Sequence, residues 1–198
     1  QLTDGGGERE RFREARSNMT VADLLNHRSG LIGFREELTL DELSEEETLL
    51  LRLEGEPLRW SPGERQGYHG VSFGLYDGAL FKKITRQSVG DYLRDEIKRE
   101  APLDLYLGLT EHEEDLISSR IRPIYPIQLT DVFGGILPNL IFGRNREGRF
   151  FRSALNKSSP TAHAFGQPQD LGAKSLTNFN TRRVQRLELP WANALGSA

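Results

Sequence analysis

At 198 residues the chain has room for one domain of ordinary size with a sizeable core. A net charge of −3 and a pI near 5.9 leave no basic footprint for nucleic acid, and no apolar run reaches transmembrane length. Cysteine is absent, which excludes disulfides, thiolate metal sites and a cysteine nucleophile. The 28% charged residues and mean hydropathy of −0.54 predict a well-solvated surface, long loops, or a piece of something larger.

Residues 1–19 are charged and glycine-rich and read as a flexible or surface segment. Thr20 to His27 is a short helix with a Thr20–Asp23 capping box and a buried face of Val21, Leu24 and Leu25. Arg28-Ser29-Gly30-Leu31 stops it, and His27 stands at its C-terminus, where backbone and dipole favour it. Ser44 and Glu47 read as a second capping box, opening a helix with Leu49, Leu50 and Leu53 on one face that ends at Gly55.

Trp60 to His69 is a Pro/Gly turn, built on Pro62 and Gly63, that carries Tyr68 to the start of an apolar helical run over Tyr68 to Ile84. Its apolar positions are Val71, Leu75, Ala79 and Leu80. A side chain delivered to a helix N-terminus meets unpaired N–H groups and the positive end of the dipole, so Tyr68 is a candidate phenolate base. The competing reading is a packing tyrosine after a surface loop. Ser88 and Asp91 cap the next helix, which carries Val89, Tyr92, Leu93 and Ile97, and Pro102 ends it. Thr110 and Glu113 open another running toward Arg120.

From Ile121 the pattern weakens. Pro123, Pro126, Gly134, Gly135 and Pro138 punctuate it, Arg144 to Arg149 reads as a charged turn and Ser158 to Gln169 as loop. Arg182 to Leu189 fits either a strand or a helix, and Asn193 reads as an N-cap for a helix starting near the chain end.

Three motif-like stretches are set aside. Gly70-Val71-Ser72-Phe73-Gly74 spells a nucleophile elbow, but the polar turn before it is no buried strand. His112-Glu113 lacks a second histidine one turn on, and the four histidines show no ligand spacing. Gly5-Gly6-Gly7 is not followed by the lysine of a phosphate loop.

Two blocks together resemble the serine beta-lactamase-like family of class C beta-lactamases, D-Ala-D-Ala peptidases and esterases. Thr20 to Leu31 follows its T-hydrophobic-x-x-L-L-x-H-x-S-G-L stretch. Trp60-Ser61-Pro62-Gly63, Tyr68, Phe73-Gly74-Leu75, Ile84-Thr85, Ser88, Tyr92, Ile97 and Pro102-Leu103 follow its second block in order and approximate spacing. Gly67-Tyr68-His69 and Leu105 to Leu109 look closest to the branch with the animal mitochondrial beta-lactamase-like proteins, the sole pointer to a compartment. The match is clear over residues 20–120, and residues 121–198 form a loop-rich remainder.

The resemblance implies an α+β fold of which this chain, 1–198, is the mainly helical portion, as one partial domain. It implies cleavage of an ester, amide or peptide bond in a small-molecule or peptide substrate through an acyl-serine intermediate, with no metal or organic cofactor. Tyr68 falls on the catalytic tyrosine of Y-x-N. His69 falls beside it as a second-layer or substrate-contacting group, and His27, Ser29, Gly30, Pro62 and Gly63 fall on structural motifs.

The departures are equally specific. No S-x-x-K occurs, Ser153 to Lys157 being one residue too long, no K-T-G occurs, and Gly70 stands at the asparagine of Y-x-N. Both ends therefore read as truncated. A free tyrosine titrates near pH 10, and the family's lysine helps lower that. The expectation is a hydrolase portion inactive as an isolated chain. The alternatives are a non-catalytic scaffold, with self-association left open, and, more weakly, a metal-dependent hydrolase.

Overall fold

The computed structural model describes residues 14–101, 103–128, 130, 136–143, 145–172 and 175–196. The expectations at residues 1–13, Pro102, Gly134, Gly135 and Arg144 lie outside them.

Several of the short helices start where the sequence places a Ser, Thr or Asn cap. After a helical stretch at 14–17 come α1 (Val21–Leu25), α2 (Leu40–Ser44), α3 (Glu46–Gly55) and α4 (Gly70–Thr85). Then α5 (Val89–Tyr92) runs through a π-turn at Leu93–Ile97 into α6 (Lys98–Glu100). Further on are α7 (Glu111–Ile117), α8 (Leu137–Phe142), α9 (Arg146–Leu155), α10 (Pro160–Phe165) and α11 (Arg182–Arg186). Strands β1 (Leu105–Tyr106) and β2 (Leu195–Gly196) pair antiparallel, with Leu105 opposite Gly196 and Tyr106 opposite Leu195.

The capping boxes at Thr20–Asp23 and Thr110–Glu113 form as read, and Ser88 accepts from the Asp91 amide. The box read at Ser44 does not. It lies one turn earlier, at Thr39–Glu42, while Ser44 donates back to the Leu40 carbonyl and α3 starts uncapped at Glu45. Several other expectations give way. On α1 only Leu24 is buried, with Val21 and Leu25 half exposed, because so short a helix turns one residue to the core. The charged stretch after Arg144 is α9, N-capped by Asn145. Ser159 caps α10 inside the expected loop, with Pro160 in the first helical position, where its missing N–H costs nothing. Arg182 to Arg186 is helical and the chain then extends. Asn193 caps no helix; its amide donates to the Val184 and Leu187 carbonyls and its oxygen accepts from Leu189, fixing the approach to β2.

The main core gathers Phe34, Leu38, Leu43, Leu53, Leu75, Leu171, Val184 and Leu189. Its contacts span the chain, so residues 34–53 and 171–189 close on the same face of α4. A smaller cluster, Tyr106, Leu109 and Ile117, lies under the β1–β2 pair. α4 packs against α1, α3, α5 and α10. It is tied to α3 by the Tyr76 hydroxyl, which donates to the Leu53 carbonyl and which burial keeps protonated. Charged side chains add two cross-links. Glu114, buried on α7, takes Arg182 Nε at 2.6 Å and Arg186 Nη2 at 2.7 Å from α11. Glu188 accepts from Ser88 at 2.6 Å and from the Gly90 amide at 3.0 Å, joining the C-terminal segment to the start of α5. The result is a rigid seat for α4, whose N-terminus carries the site.

Candidate active site

α4 begins at Gly70, two residues after Tyr68, so the tyrosine stands on the entering strand of chain and not inside the helix. It is 62% exposed. The turn that delivers it is held by backbone hydrogen bonds to the α1 exit. The Gly30 carbonyl accepts from Arg59 N at 2.9 Å, the Arg28 carbonyl from Gly63 N at 3.0 Å, and the His27 carbonyl from Gly67 N at 2.9 Å. The Arg28 guanidinium also donates to the Gly63 carbonyl, and Gln66 Nε2 donates to the Asn26 carbonyl at 3.2 Å. Residues 27–30 and 59–67, distant in sequence, are thus one clamp.

The clamp explains its residue types. His27 has φ 57°, Gly30 84° and Gly63 84°, the left-handed region that disfavours side chains. A Cβ on Gly30 would also stand 2.4 Å from the Trp60 carbonyl oxygen. Ser29 is fully buried, its hydroxyl accepting from Leu31 N at 3.2 Å. Ser72 is buried as well and donates to the Leu31 carbonyl at 3.1 Å, so the serine of the G-x-S-x-G string ties α4 to the clamp.

His27 and His69, 42 residues apart in sequence, meet with their Nδ1 atoms 3.3 Å apart. Linear spacing carried no sign of this pair; the one usable signal was that His27 lies within the first block of the resemblance and His69 beside Tyr68 within the second. His69 is fully buried at the N-cap of α4, and its Nδ1 lies 2.8 Å from the Gly67 carbonyl. A carbonyl only accepts, so His69 Nδ1 carries the proton and Nε2 holds a lone pair. Nε2 is buried without a hydrogen-bond partner among the described residues. The His27 ring packs on Tyr68 at 4.7 Å, on His69 at 4.8 Å and on Phe73 at 4.6 Å between centroids. Burial lowers the basicity of both imidazoles. For His69 the Gly67 carbonyl opposes that shift and the His27 charge adds to it.

Gly70 shapes the other side. The Cβ it lacks would sit 3.1 Å from the Tyr68 hydroxyl, so the phenol lies folded against the first residue of α4. Beyond it, the Tyr68 ring stacks on Phe165 of α10 at 5.8 Å, and Phe165 meets Phe150 of α9 edge-on at 5.5 Å. Among the described residues no group of three or more His, Asp or Glu side chains is placed to hold a metal ion, and no helix is long and apolar enough to cross a membrane.

The beta-lactamase family model matches residues 10–114, more than half of the chain and both halves of the clamp. The chain belongs to the beta-lactamase family. Three solved structures share this beta-lactamase-type fold. A penicillin-binding protein homologue from Caulobacter crescentus is 24% identical, with TM-score 0.57 over 88% of this chain and 39% of its own. A family VIII carboxylesterase is 22% identical, with TM-score 0.64 over 96% of this chain and 44% of its own. EstA from Arthrobacter nitroguajacolicus Rue61a is 23% identical, with TM-score 0.64 over 96% and 45%. The chain therefore spans less than half the length of these structures. No curated protein sequence matches it. The expected fold, the mainly helical portion of a beta-lactamase/transpeptidase-like fold, is the one observed.

Two stability predictions follow from the clamp. Gly30→Ala combines a left-handed φ with a backbone collision and is expected to cost more than about 2 kcal/mol, seen as a Tm at least about 4 °C lower. An unchanged Tm would contradict the clamp geometry. The imidazoles supply the second. Both are harder to protonate folded than unfolded, so below the unfolded value of 6.5 the unfolded chain takes up protons first. Stability is then retained above about pH 6.5 and lost as pH falls toward the depressed folded values. Thermal melts should give a lower midpoint at pH 5.5 than at pH 7.5, with a flatter response in His69→Gln; equal slopes would refute it.

Proposed function

We propose that this chain is the helical part of a beta-lactamase-type serine hydrolase that cleaves an ester, amide or peptide bond through an acyl-serine intermediate. Tyr68 is its proton-transfer group. The observation that carries the reading is the placement of Tyr68: exposed, on a turn clamped at both ends to a family motif, and lying over the N-terminus of the sixteen-residue α4. An oxygen so held can, as the phenolate, take a proton from an attacking serine and then, as the phenol, return it to the leaving group.

The burial of His69 supports a role behind Tyr68 over contact with substrate. The serine–lysine pair lies outside these 198 residues in this reading, since no S-x-x-K occurs within them. Without that serine Tyr68 has nothing to deprotonate. Placement in the branch with the animal mitochondrial proteins, and with it a mitochondrial address, rests on Gly67-Tyr68-His69 and the Leu105 to Leu109 stretch. A second reading, a non-catalytic scaffold, draws on Gly70, which removes the asparagine amide and lets the phenol occupy the space beside it.

The isolated chain is expected to turn over neither a chromogenic beta-lactam nor a p-nitrophenyl ester faster than its Tyr68→Phe variant. A protein joining it to an S-x-x-K segment encoded in frame upstream should hydrolyse one of these substrates, and Tyr68→Phe should lower kcat by about 10²–10⁴-fold. Turnover by the isolated chain above the variant, or indifference of the longer protein to Tyr68→Phe, would overturn the assignment. An upstream reading frame without a serine–lysine pair would favour the scaffold.

A further inference from the structure

We propose that His69 is a positioning residue that sets Tyr68 through His27, and that it does so only while a single proton lies between the two facing Nδ1 atoms. The inference rests on the hydrolase reading only for the use made of Tyr68.

The geometry determines the proton count. His69 Nδ1–H donates to the Gly67 carbonyl at 2.8 Å and leans on the His27 Nδ1 atom 3.3 Å away. His27 must then present a lone pair at Nδ1 and carry its own proton on Nε2. A further proton has two places to go, and both disrupt the pair. On His27 Nδ1 it sets two N–H groups head to head at 3.3 Å. On His69 Nε2 it creates a buried donor with no acceptor among the described residues.

Either event strains the His27 ring, the shared neighbour of Tyr68, His69 and Phe73. On its other sides the Tyr68 ring stacks on Phe165 and its hydroxyl lies by Gly70, so displacement of His27 releases the phenol from its place over α4. The groups around the pair do not compensate. From α1, Asp23 is bound to Thr20, and from the segment after it Arg28 to the Gly63 carbonyl; from the turn, Glu64 pairs with Arg65. On α10, His163 faces the Phe34 carbonyl, and on α4 the Asp77 carboxyl has a buried oxygen without a partner among the described residues. None of these forms a hydrogen bond or ion pair with either imidazole among the described residues. The device responds to acid by letting go of Tyr68.

The test is an NMR titration of the 198-residue chain between pH 8 and 5, following imidazole nitrogens and tyrosine ring protons. At pH 8 the expected tautomers are Nδ1–H for His69 and Nε2–H for His27. On acidification the Tyr68 ring signals should move together with the His27 signals, and His27→Asn should remove that coupled change. An Nε2–H tautomer at His69, or Tyr68 signals that ignore the histidine titration, would overturn the proposal. In the longer protein with its S-x-x-K segment, the acid limb of kcat/KM should follow the same titration, and His69→Gln should shift that limb. If that protein hydrolyses nothing while the coupled titration is seen, the hydrolase reading fails and the positioning device stands. If it hydrolyses with an acid limb unmoved by His69→Gln, the positioning role fails and the hydrolase reading stands.

Discussion

Three backbone hydrogen bonds, from Arg59 to Gly30, Gly63 to Arg28 and Gly67 to His27, are what the site depends on. Each is worth about 0.5–1.5 kcal/mol net, a modest sum against the entropy of ordering the turn. Their importance lies in placement. They join segments whose backbone is left-handed at His27, Gly30 and Gly63, with the His27 ring against Tyr68 and the Trp60 carbonyl against Gly30. The turn then has one way to enter α4, and Tyr68 one place to stand.

The rest of the molecule holds α4 still. Phe34 and Leu38, immediately after the clamp, bury beside Leu75 of α4 and beside Val184 and Leu189 near the other end of the chain. The Phe34 carbonyl lies 3.4 Å from both His163 and Gln167, so the α10 region is anchored to the same segment that follows the motif. Core, clamp and site are therefore consecutive layers of one arrangement. A change at Gly30 is felt at Tyr68 through backbone, and a change at His69 through ring contacts.

What was legible in the sequence follows a physical line. Local chemistry was readable: the Thr20, Ser88 and Thr110 caps, the end of α3 at Gly55 and the Trp60 to His69 turn all depend on neighbours within a few residues. The two-block resemblance runs through the clamp, where left-handed φ values at His27, Gly30 and Gly63 favour particular residue types. Tertiary choices were not readable. Ser44 and Thr39 offer equivalent caps, and selection between them depends on where Leu43 buries. The stretch from Ser158 to Gln169 looked like loop because proline and glycine dominate it, yet Ser159-Pro160 is a helix start once α9 supplies a surface. The His27–His69 contact spans 42 residues and has no local signature at all.

Native-state hydrogen exchange at the Arg59, Gly63 and Gly67 amides tests the clamp most directly. These three sit in an exposed Pro/Gly turn that would exchange rapidly if it were only a surface loop. The account predicts protection at all three comparable to that of the Phe73 amide, bonded to the His69 carbonyl at the start of α4, and loss of that protection in step with it. Rapid exchange of the three amides while Phe73 stays protected would contradict the account, leaving Tyr68 on a turn that nothing holds.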